Sequence, residues 1–278
     1  MSDLSLLSSL PDLTVPADNG LILPFRSRQP QQLHRVPFSE ACLMLVLSGE
    51  KQLHQASTTP LPPGRMLLIP AGSELTFTNQ PAPSHDYLAW LISLPASALT
   101  VPDKGPVDRE LQLFDADPLL LLLMRQWLEL GPQFQHSHGA CGRRRDEIVR
   151  RLLDLGYGAS LRSGLQQQWS NRIRQLLLAD LSHDWQLAAI CTRLAVSEST
   201  LRRKLEEEQT SFRDLLSKLR LSQGLNLLQT TDHTVQQIAD ACGYRSASRF
   251  SERFRERFGV SPSELRAQRG QAVQELVV

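Results

Sequence analysis

The chain has 278 residues, of which 41% are hydrophobic and 21% are charged, and its formal net charge is +1. This length predicts two domains, and the composition excludes disordered and collagen-like chains because it holds enough apolar residues to build cores. Apolar runs such as residues 119–124 are far shorter than the roughly 18 residues of a membrane span, and the N-terminus lacks a secretory signal pattern. We therefore expect a cytoplasmic protein without a membrane partner.

The four cysteines are scattered along the chain and form no CxxC pair. In a reducing compartment such thiols usually behave as small buried hydrophobes, so no structural disulfide is expected. Residues 171–278 carry 16 basic side chains against 13 acidic ones. A surplus this small is only a weak indication of nucleic-acid binding at the C-terminal end.

Short apolar segments separated by turn signals predict β-strands between Leu21 and about Leu94. The segments are LILPF, CLMLVL, KQLH, MLLIP, LTFT and YLAWLISL. Strands this short and closely spaced are typical of a small barrel or sandwich. Leucine-rich segments at 119–130 and 146–155 have helical spacing, and these helices would cover the barrel or pair with a second subunit.

Residues 133–145 are polar, contain glycine and lack apolar periodicity, which predicts a loop. His136, His138 and Cys141 are conceivable zinc ligands, but a fourth partner is missing. We expect a solvated loop and no metal site.

From residue 171 onward the pattern is helical, with clear boundary signals. Asp184 stands where an N-cap would satisfy free backbone N–H groups, and Gly259 follows a helix that ends at Phe258. Ser261 and Glu264 have the spacing of a capping box.

The C-terminal region contains an internal duplication at an offset of 48 residues, which becomes 49 after the turn. The matching residues are Leu187, Ile190, Leu194, Ala195, Leu201 and Leu205 in the first copy and Val235, Ile238, Cys242, Gly243, Phe250 and Phe254 in the second. Each copy combines two apolar-periodic helices with a tight turn, which is the helix-turn-helix pattern. The predicted units span about 184–208 and 232–258.

In such a unit the second helix enters the major groove, so its outward side chains contact DNA. The predicted contacts are Ser199, Arg202, Arg203 and Lys204 in the first unit and Ala247, Ser248, Arg249, Glu252 and Arg253 in the second. Glu252 would either accept a hydrogen bond from the N4 amino group of cytosine or orient the side chain of Arg249 or Arg253. One such match also fits an ordinary solvated helix, but two copies at a matched offset favour DNA binding.

Residues 211–229 carry an apolar stripe that predicts one continuous helix between the two units. A continuous helix would hold the two DNA-contacting helices in a set relation. One monomer would then contact two major-groove segments about 10 bp apart on double-stranded DNA.

Residues 170–268 resemble the AraC/XylS family of bacterial transcription regulators. The most specific stretch is TVQQIADACGYRSASRFSERFRERFGVSPSELR, residues 234–266. The resemblance implies base contacts from Ser199, Arg202 and Arg203 and from Ala247, Ser248 and Glu252. Gly224 stands where the family commonly has alanine, at a cost of up to ~1 kcal/mol unless packing requires glycine. Ala247 and Glu252 replace longer or basic residues, which implies mainly phosphate contacts from the second unit.

The N-terminal half resembles the cupin-like sensor domain of the same family. Gly64, Pro70, Gly72 and Asn79 fit the second cupin motif, with Leu75 where a metal-binding histidine would stand. His34, His54 and His85 are scattered. Because leucine cannot bind a metal, we expect neither a metal nor another cofactor.

The sequence therefore predicts an α+β protein in two domains. Residues 1–165 would form a cupin-like β-barrel with covering helices, and residues 170–278 an all-α DNA-binding domain. The function would be that of a transcription activator, not an enzyme, with RNA polymerase as a partner and a small effector or a regulatory protein acting on the barrel. Two alternatives stay open: an N-terminal half that only dimerises, with a homodimer through residues 119–155, and a cupin-type metalloenzyme.

Overall fold

A computed structural model of the chain describes residues 21–95, 105–130, 138–165 and 169–269, together with positions 7, 9–11, 13 and 15. The chain divides into two compact units. The first comprises residues 1–165 with 266–278, and the second comprises residues 166–265.

The described part of the first unit contains nine strands in two antiparallel sheets. They are β1 (Ile22–Ser27), β2 (Gln31–Phe38), β3 (Ala41–Ser48), β4 (Glu50–His54), β5 (Thr58–Leu61), β6 (Arg65–Ile69), β7 (Ser73–Gln80), β8 (Tyr87–Leu94) and β9 (Gln112–Asp115). One sheet has the order β1-β8-β3-β6-β9 and the other β2-β7-β4-β5. These two sheets and the helices that follow them give the predicted α+β class.

Each of the six segments predicted as strands overlaps a strand of the structure and extends at most one residue beyond it, whereas β2, β5 and β9 were not predicted. The sequence of β2, QQLHRVPF, is polar at most positions, and its pairing with β7 shifts register between Leu33 and Val36. Arg35 takes a left-handed φ of 50° at this irregularity. A strand interrupted in this way does not show the regular alternation on which a sequence-based prediction depends.

Three α-helices and a short 3₁₀ turn follow the strands. They are α1 (Pro118–Leu130), α2 (His138–Asp154) and α3 (Gly158–Arg162), with the 3₁₀ turn at Ser163–Leu165. Their buried leucines pack with one face of the five-stranded sheet in a single core, in which Leu43, Leu45 and Trp90 meet Leu120 and Leu152. The predicted covering helices are therefore present. The two sheets approach each other where Lys51 Nζ on β4 lies 5.5 Å from the centre of the Tyr87 ring on β8.

The loop predicted for residues 133–145 is wrong from residue 138 onward, where α2 begins. Gly139 and Gly142 weaken helix propensity there, but Ile148, Val149 and Leu152 are fully buried and anchor the same helix on the core. His138 is therefore helical rather than part of a loop, and His136 lies outside the described residues.

The described part of the second unit is entirely helical. Its helices are α4 (Trp169–Leu178), α5 (Leu187–Leu194), α6 (Glu198–Glu207), α7 (Phe212–Thr230), α8 (Val235–Ala241) and α9 (Ala247–Phe258), and α10 (Pro262–Arg269) continues past the boundary. The continuous helix predicted between the duplicated segments is α7. No helix in the described ranges is long and apolar enough to cross a bilayer.

Most predicted helix boundaries are confirmed. Gly259 ends α9 with a left-handed φ of 79°, and Ser261 and Glu264 form the capping box before α10. Asp184 is not an N-cap: α5 begins later, after Gln186, whose side chain caps nothing. The reason is Trp185, which is buried and donates from its indole nitrogen to the Asp180 carbonyl at 2.7 Å, holding residues 180–185 as a loop.

Candidate nucleic-acid interface

The two helix-turn-helix units repeat the same backbone turn. The first unit is α5 with α6, and the second is α8 with α9. Ala195 and Gly243, the matched turn residues, are both left-handed, with φ of 53° and 73°. In each unit the next residue donates its N–H to the helix before the turn, Val196 to the Cys191 carbonyl at 3.1 Å and Tyr244 to the Ala239 carbonyl at 2.9 Å. The duplication therefore extends to individual hydrogen bonds.

In the first unit, α6 presents one apolar and one polar face. Leu201 and Leu205 are buried against the core. Ser199, Arg202 and Arg203 are exposed, and Lys204 is half-buried at the edge. The helix begins after Ser197, whose hydroxyl accepts the Thr200 N–H at 3.2 Å as an N-cap. All four predicted contact residues of this unit thus lie outside the apolar face.

The cations of α6 are paired with carboxylates of the same helix. Arg202 Nη2 lies 3.1 Å from Glu198 Oε2, and Lys204 Nζ lies 2.9 Å from Glu207 Oε2, while Arg203 is 4.0 Å from Glu207. The hydrogen bond from Lys204 holds the pKa of Glu207 below its ordinary value. The helix carries three basic and three acidic residues, so its free surface is close to neutral. Exposed pairs of this kind are weak and separate readily when phosphates arrive.

In the second unit, α9 is held by three aromatic rings on its inner face. Phe250, Phe254 and Phe258 are fully buried, and successive ring centroids lie 5.4 and 4.6 Å apart. On the other side Ser248, Arg249, Glu252 and Arg253 are exposed, while Ala247 is half-buried as the first helical residue. The predicted contact residues therefore share the outer face of this helix too.

Glu252 does not orient Arg253. Arg253 Nη1 instead lies 3.0 Å from Glu256 Oε2, one turn further along. The described residues offer no ion pair to Glu252 or to Arg249, so both side chains are available to DNA. With four basic residues against two acidic ones, α9 is more cationic than α6.

A junction at Arg220 links the two units. Arg220, on α7, donates to the carbonyls of Leu181 at 3.0 Å and His183 at 2.8 Å, in the loop before the first unit. Gly243, in the turn of the second unit, approaches so closely that a Cβ there would lie 2.6 Å from both the Leu181 carbonyl oxygen and Arg220 Nη2. The loop, α7 and the second turn thus meet at one guanidinium group.

Two positioning contacts were not predicted from the sequence. The Glu208 carboxylate, just after α6, accepts the backbone N–H groups of Trp169 at 2.6 Å and Ser170 at 3.0 Å at the start of α4. Gln236, on α8, accepts the N–H of Ala247 at 3.3 Å through its side-chain oxygen. Neither contact has a local sequence signal, since Glu208 reaches residues 38 and 39 positions away.

The described residues hold no cluster of three or more His, Cys, Asp or Glu side chains that would suit a metal ion. Leu75 is buried where the cupin motif would have a histidine. The two ring nitrogens of His54 form hydrogen bonds with hydroxyl groups, Nδ1 with Thr58 at 3.3 Å and Nε2 with Thr78 at 2.8 Å. This histidine is therefore satisfied by hydroxyl groups.

Comparison with known proteins places the sequence similarity in the helical C-terminal part of the chain, which contains both helix-turn-helix units. A helix-turn-helix domain family matches residues 190–268. The chain is 40% identical over 96 residues to the HTH-type transcriptional regulator YdeO of Shigella flexneri, covering 34% of this chain and 38% of the relative. It is 35% identical over 100 residues to the HTH-type transcriptional regulator GadX of Escherichia coli K12, covering 36% of each. The matched stretch thus spans less than two fifths of the length of these relatives.

Similarity of fold extends over nearly the whole chain. ToxT from Vibrio cholerae, in a crystal structure with a bound unsaturated fatty acid, gives a TM-score of 0.66 at 18% identity and covers 92% of this chain and 97% of its own. A second ToxT crystal structure gives 0.64 at 17% identity, with 90% and 98% covered. Identity this low shows a common fold and nothing more.

Proposed function

We propose that this chain is a transcription regulator of the AraC/XylS type, which its match to a helix-turn-helix domain family supports, and that it activates transcription by binding two adjacent major-groove segments of promoter DNA. The duplicated turn carries this proposal. Two units with matching hydrogen bonds present two exposed polar helices, α6 and α9, from one frame. A single chain would therefore contact an asymmetric site.

The two DNA-contacting helices would have different tasks. Arg202 and Arg203 on α6 each offer a planar pair of donors that fits the O6 and N7 atoms of guanine. On α9, Arg249 and Arg253 stand beside the short side chains of Ala247 and Ser248 and add positive charge. The first helix-turn-helix unit would therefore discriminate base sequence, while the second would mainly contact phosphates and set the register. In the second unit, Glu252 would accept a hydrogen bond from the N4 amino group of cytosine.

Selection of genomic fragments by the full-length protein, followed by sequencing, tests this proposal. Enrichment of a two-block asymmetric site is expected. Arg202→Ala and Arg203→Ala should each lose ~1–3 kcal/mol of discrimination at one base pair. Arg150→Ala removes the same charge from an exposed position on α2 and serves as the matched control. Failure to enrich any site at moderate salt would contradict the proposal.

The N-terminal compact unit, residues 1–165 with 266–278, would control DNA binding through a small effector or a regulatory protein, and RNA polymerase would be the partner at the promoter. The relative with the same fold, ToxT, has been crystallised with an unsaturated fatty acid, which supports an effector of the same general size for this chain. Exposed leucines support a dimerising or partner-binding role for the N-terminal compact unit. Leu119 and Leu122 on α1 are 44% and 38% exposed.

Light scattering tests the homodimer. A dimer at micromolar concentration that Leu119→Gln and Leu122→Gln together convert to a monomer would assign this face to a second copy of the chain. A wild-type monomer would contradict dimerisation through residues 119–155.

A further inference from the structure

The turn of the second helix-turn-helix unit is one residue longer than the turn of the first, and hydrogen bonds locate the extra residue. Up to Val196 and Tyr244, whose N–H groups each donate to the helix before the turn, the two units match at an offset of 48 residues. From the N-caps Ser197 and Ser246 onward they match at an offset of 49, since each hydroxyl accepts the N–H of the residue three positions later. Arg245 is therefore the residue of the second turn that has no counterpart in the first.

The side chain of Arg245 is exposed, and its guanidinium has no carboxylate partner among the residues that the structure describes. Two of the predicted contact residues differ in this respect, because Arg202 and Arg253 are each paired with a glutamate of their own helix. An unpaired surface cation can bind an anion without first giving up another partner. Arg245 thus brings its full charge to any complex with DNA.

The backbone is held on both sides of Arg245. On one side, the Tyr244 ring packs edge-on against the Phe250 ring, with the centroids 5.3 Å apart, and its hydroxyl is hydrogen-bonded to Ser217 on α7. On the other side, Ser246 caps α9 by accepting the N–H of the residue three positions later. Because both neighbours are held in place, less conformational entropy is lost when the arginine between them binds a ligand.

The place of Arg245 in the chain indicates which part of DNA it contacts. The N-terminal residues of a DNA-contacting helix reach base edges in the major groove. Arg245 precedes the first residue of α9, Ala247, by two positions, so its side chain leaves the chain before the helix starts. It would therefore lie at the edge of the groove, where the phosphates are, rather than over the bases. A guanidinium group binds phosphate oxygens through two parallel hydrogen bonds.

We infer that Arg245 binds a phosphate of the DNA backbone at the edge of the second major-groove segment, and that the first helix-turn-helix unit has no equivalent residue. The contact is independent of base sequence, and it anchors the second unit beside α9. This inference rests on the proposed function, in which the second unit mainly contacts phosphates, and it adds a residue outside the two DNA-contacting helices.

The salt dependence of DNA binding tests this contact. Fluorescence anisotropy is measured on the full-length protein with two duplexes, one with a site enriched from genomic fragments and one of unrelated sequence. Each phosphate contact adds about 0.9 to the slope of log K against log salt concentration. Arg245→Gln should therefore lower the slope by about 0.9 and weaken binding to both duplexes equally, by roughly 5- to 10-fold at about 0.1 M salt.

Two further variants accompany this measurement. Arg245→Lys keeps the positive charge and should keep the slope of the wild type. Arg150→Gln removes the same charge from an exposed position on α2 and is the matched control, for which the slope should not change. Because Arg245 is exposed, Arg245→Gln should also unfold at the temperature of the wild type, which separates a lost contact from a misfolded protein.

The outcomes distinguish a failed contact from a failed regulator. An unchanged slope in Arg245→Gln, with normal DNA binding by the wild type, would overturn the contact and leave the regulator in place. A loss of affinity confined to the enriched duplex would overturn it as well, since that pattern marks a base contact. No binding of either duplex by the wild type would overturn the regulator and the contact together.

Discussion

Gly224 lies directly against the ring of Phe250: a Cβ on Gly224 would stand 2.6 Å from Cε2 of that ring. Gly224 is inside α7, and Phe250 is the first buried aromatic residue of α9. The family resemblance left open whether glycine at this position is a cost or a requirement. The contact shows that packing requires it.

Gly224→Ala should therefore destabilise the protein although alanine favours helices. Overpacking typically costs about 1–3 kcal/mol, more than the ~1 kcal/mol gained in helix propensity. Urea unfolding measures the change. Gly142, inside α2, has no atom within 4 Å of its Cβ position, so Gly142→Ala is the matched control and should be neutral or stabilising. A stabilised Gly224→Ala variant would contradict the packing argument.

The two matched turn residues should differ in how strongly an exchange between glycine and alanine affects stability. Gly243→Ala places a Cβ 2.6 Å from the Leu181 carbonyl oxygen in a left-handed conformation. The backbone strain costs about 1–2 kcal/mol and the contact a similar amount. Ala195→Gly, at the equivalent turn, should change stability by less than ~1 kcal/mol. Thermal unfolding of both variants checks this, and equal effects would show that the Arg220 junction adds nothing.

Removing one acidic side chain from α6 should strengthen binding to any DNA. Glu198→Gln frees Arg202 from its 3.1 Å ion pair and takes a negative charge away from the phosphates. Affinity for non-specific duplex should rise several-fold at low salt, and the gain should shrink as salt increases. Glu129→Gln breaks a comparable pair with Arg125 on α1 and is the control. The two variants can be compared by fluorescence anisotropy, where equal effects would contradict a role for Glu198.

Glu208→Ala should destabilise the first helix-turn-helix unit by about 0.5–2 kcal/mol, the usual cost of a lost helix cap. Its carboxylate accepts the two N–H groups at the start of α4, those of Trp169 and Ser170. Glu206→Ala removes an exposed carboxylate two residues earlier and should have little effect. Hydrogen exchange of residues 169–170 would locate the change, and unaltered protection there would contradict the capping role.

The pair Asp117–Arg151 predicts an acid-dependent part of stability. Hydrogen bonds from Arg151, at 3.0 and 2.6 Å, hold the pKa of Asp117 below its ordinary value. Since the folded pKa is the lower one, the contribution is complete above about pH 4 and is lost as pH falls through the folded value. Asp117→Asn should cost about 1–3 kcal/mol at neutral pH.

Thermal unfolding of wild type and Asp117→Asn between pH 7 and pH 2.5 follows this loss. The difference between the two proteins should narrow in acid, because the wild-type carboxyl becomes protonated. A difference that stays constant over the whole range would show that the charge of Asp117 is irrelevant.

Features that depend on neighbouring residues were predictable from the sequence. Gly259 and the capping box at Ser261 were recognised because a cap is a relation between residues a few positions apart. The duplication was visible because both units bury the same kinds of side chain at the same spacing. Asp184 was misjudged because the burial of Trp185, a tertiary contact, decides where α5 begins.

The interior of the N-terminal compact unit could not be predicted in the same way. Lys51, Asn79 and Tyr87 are 28 and 8 residues apart in sequence, and only the strand register brings them together. A shift of one residue in β4 would turn Lys51 outward and Gln52 inward. Sequence patterns indicate that strands exist but do not specify which residues of distant strands face each other.

The Arg220 junction also constrains promoters. Since α6 and α9 belong to one frame joined at this guanidinium, the two blocks of a binding site must keep their rotational phase on the duplex. An insertion of about 5 bp between them would turn one block to the far side of the DNA, and one of about 10 bp would restore the side but place it a full turn, roughly 34 Å, too far away. Promoters under this control should tolerate base changes between the blocks while keeping their number of base pairs constant.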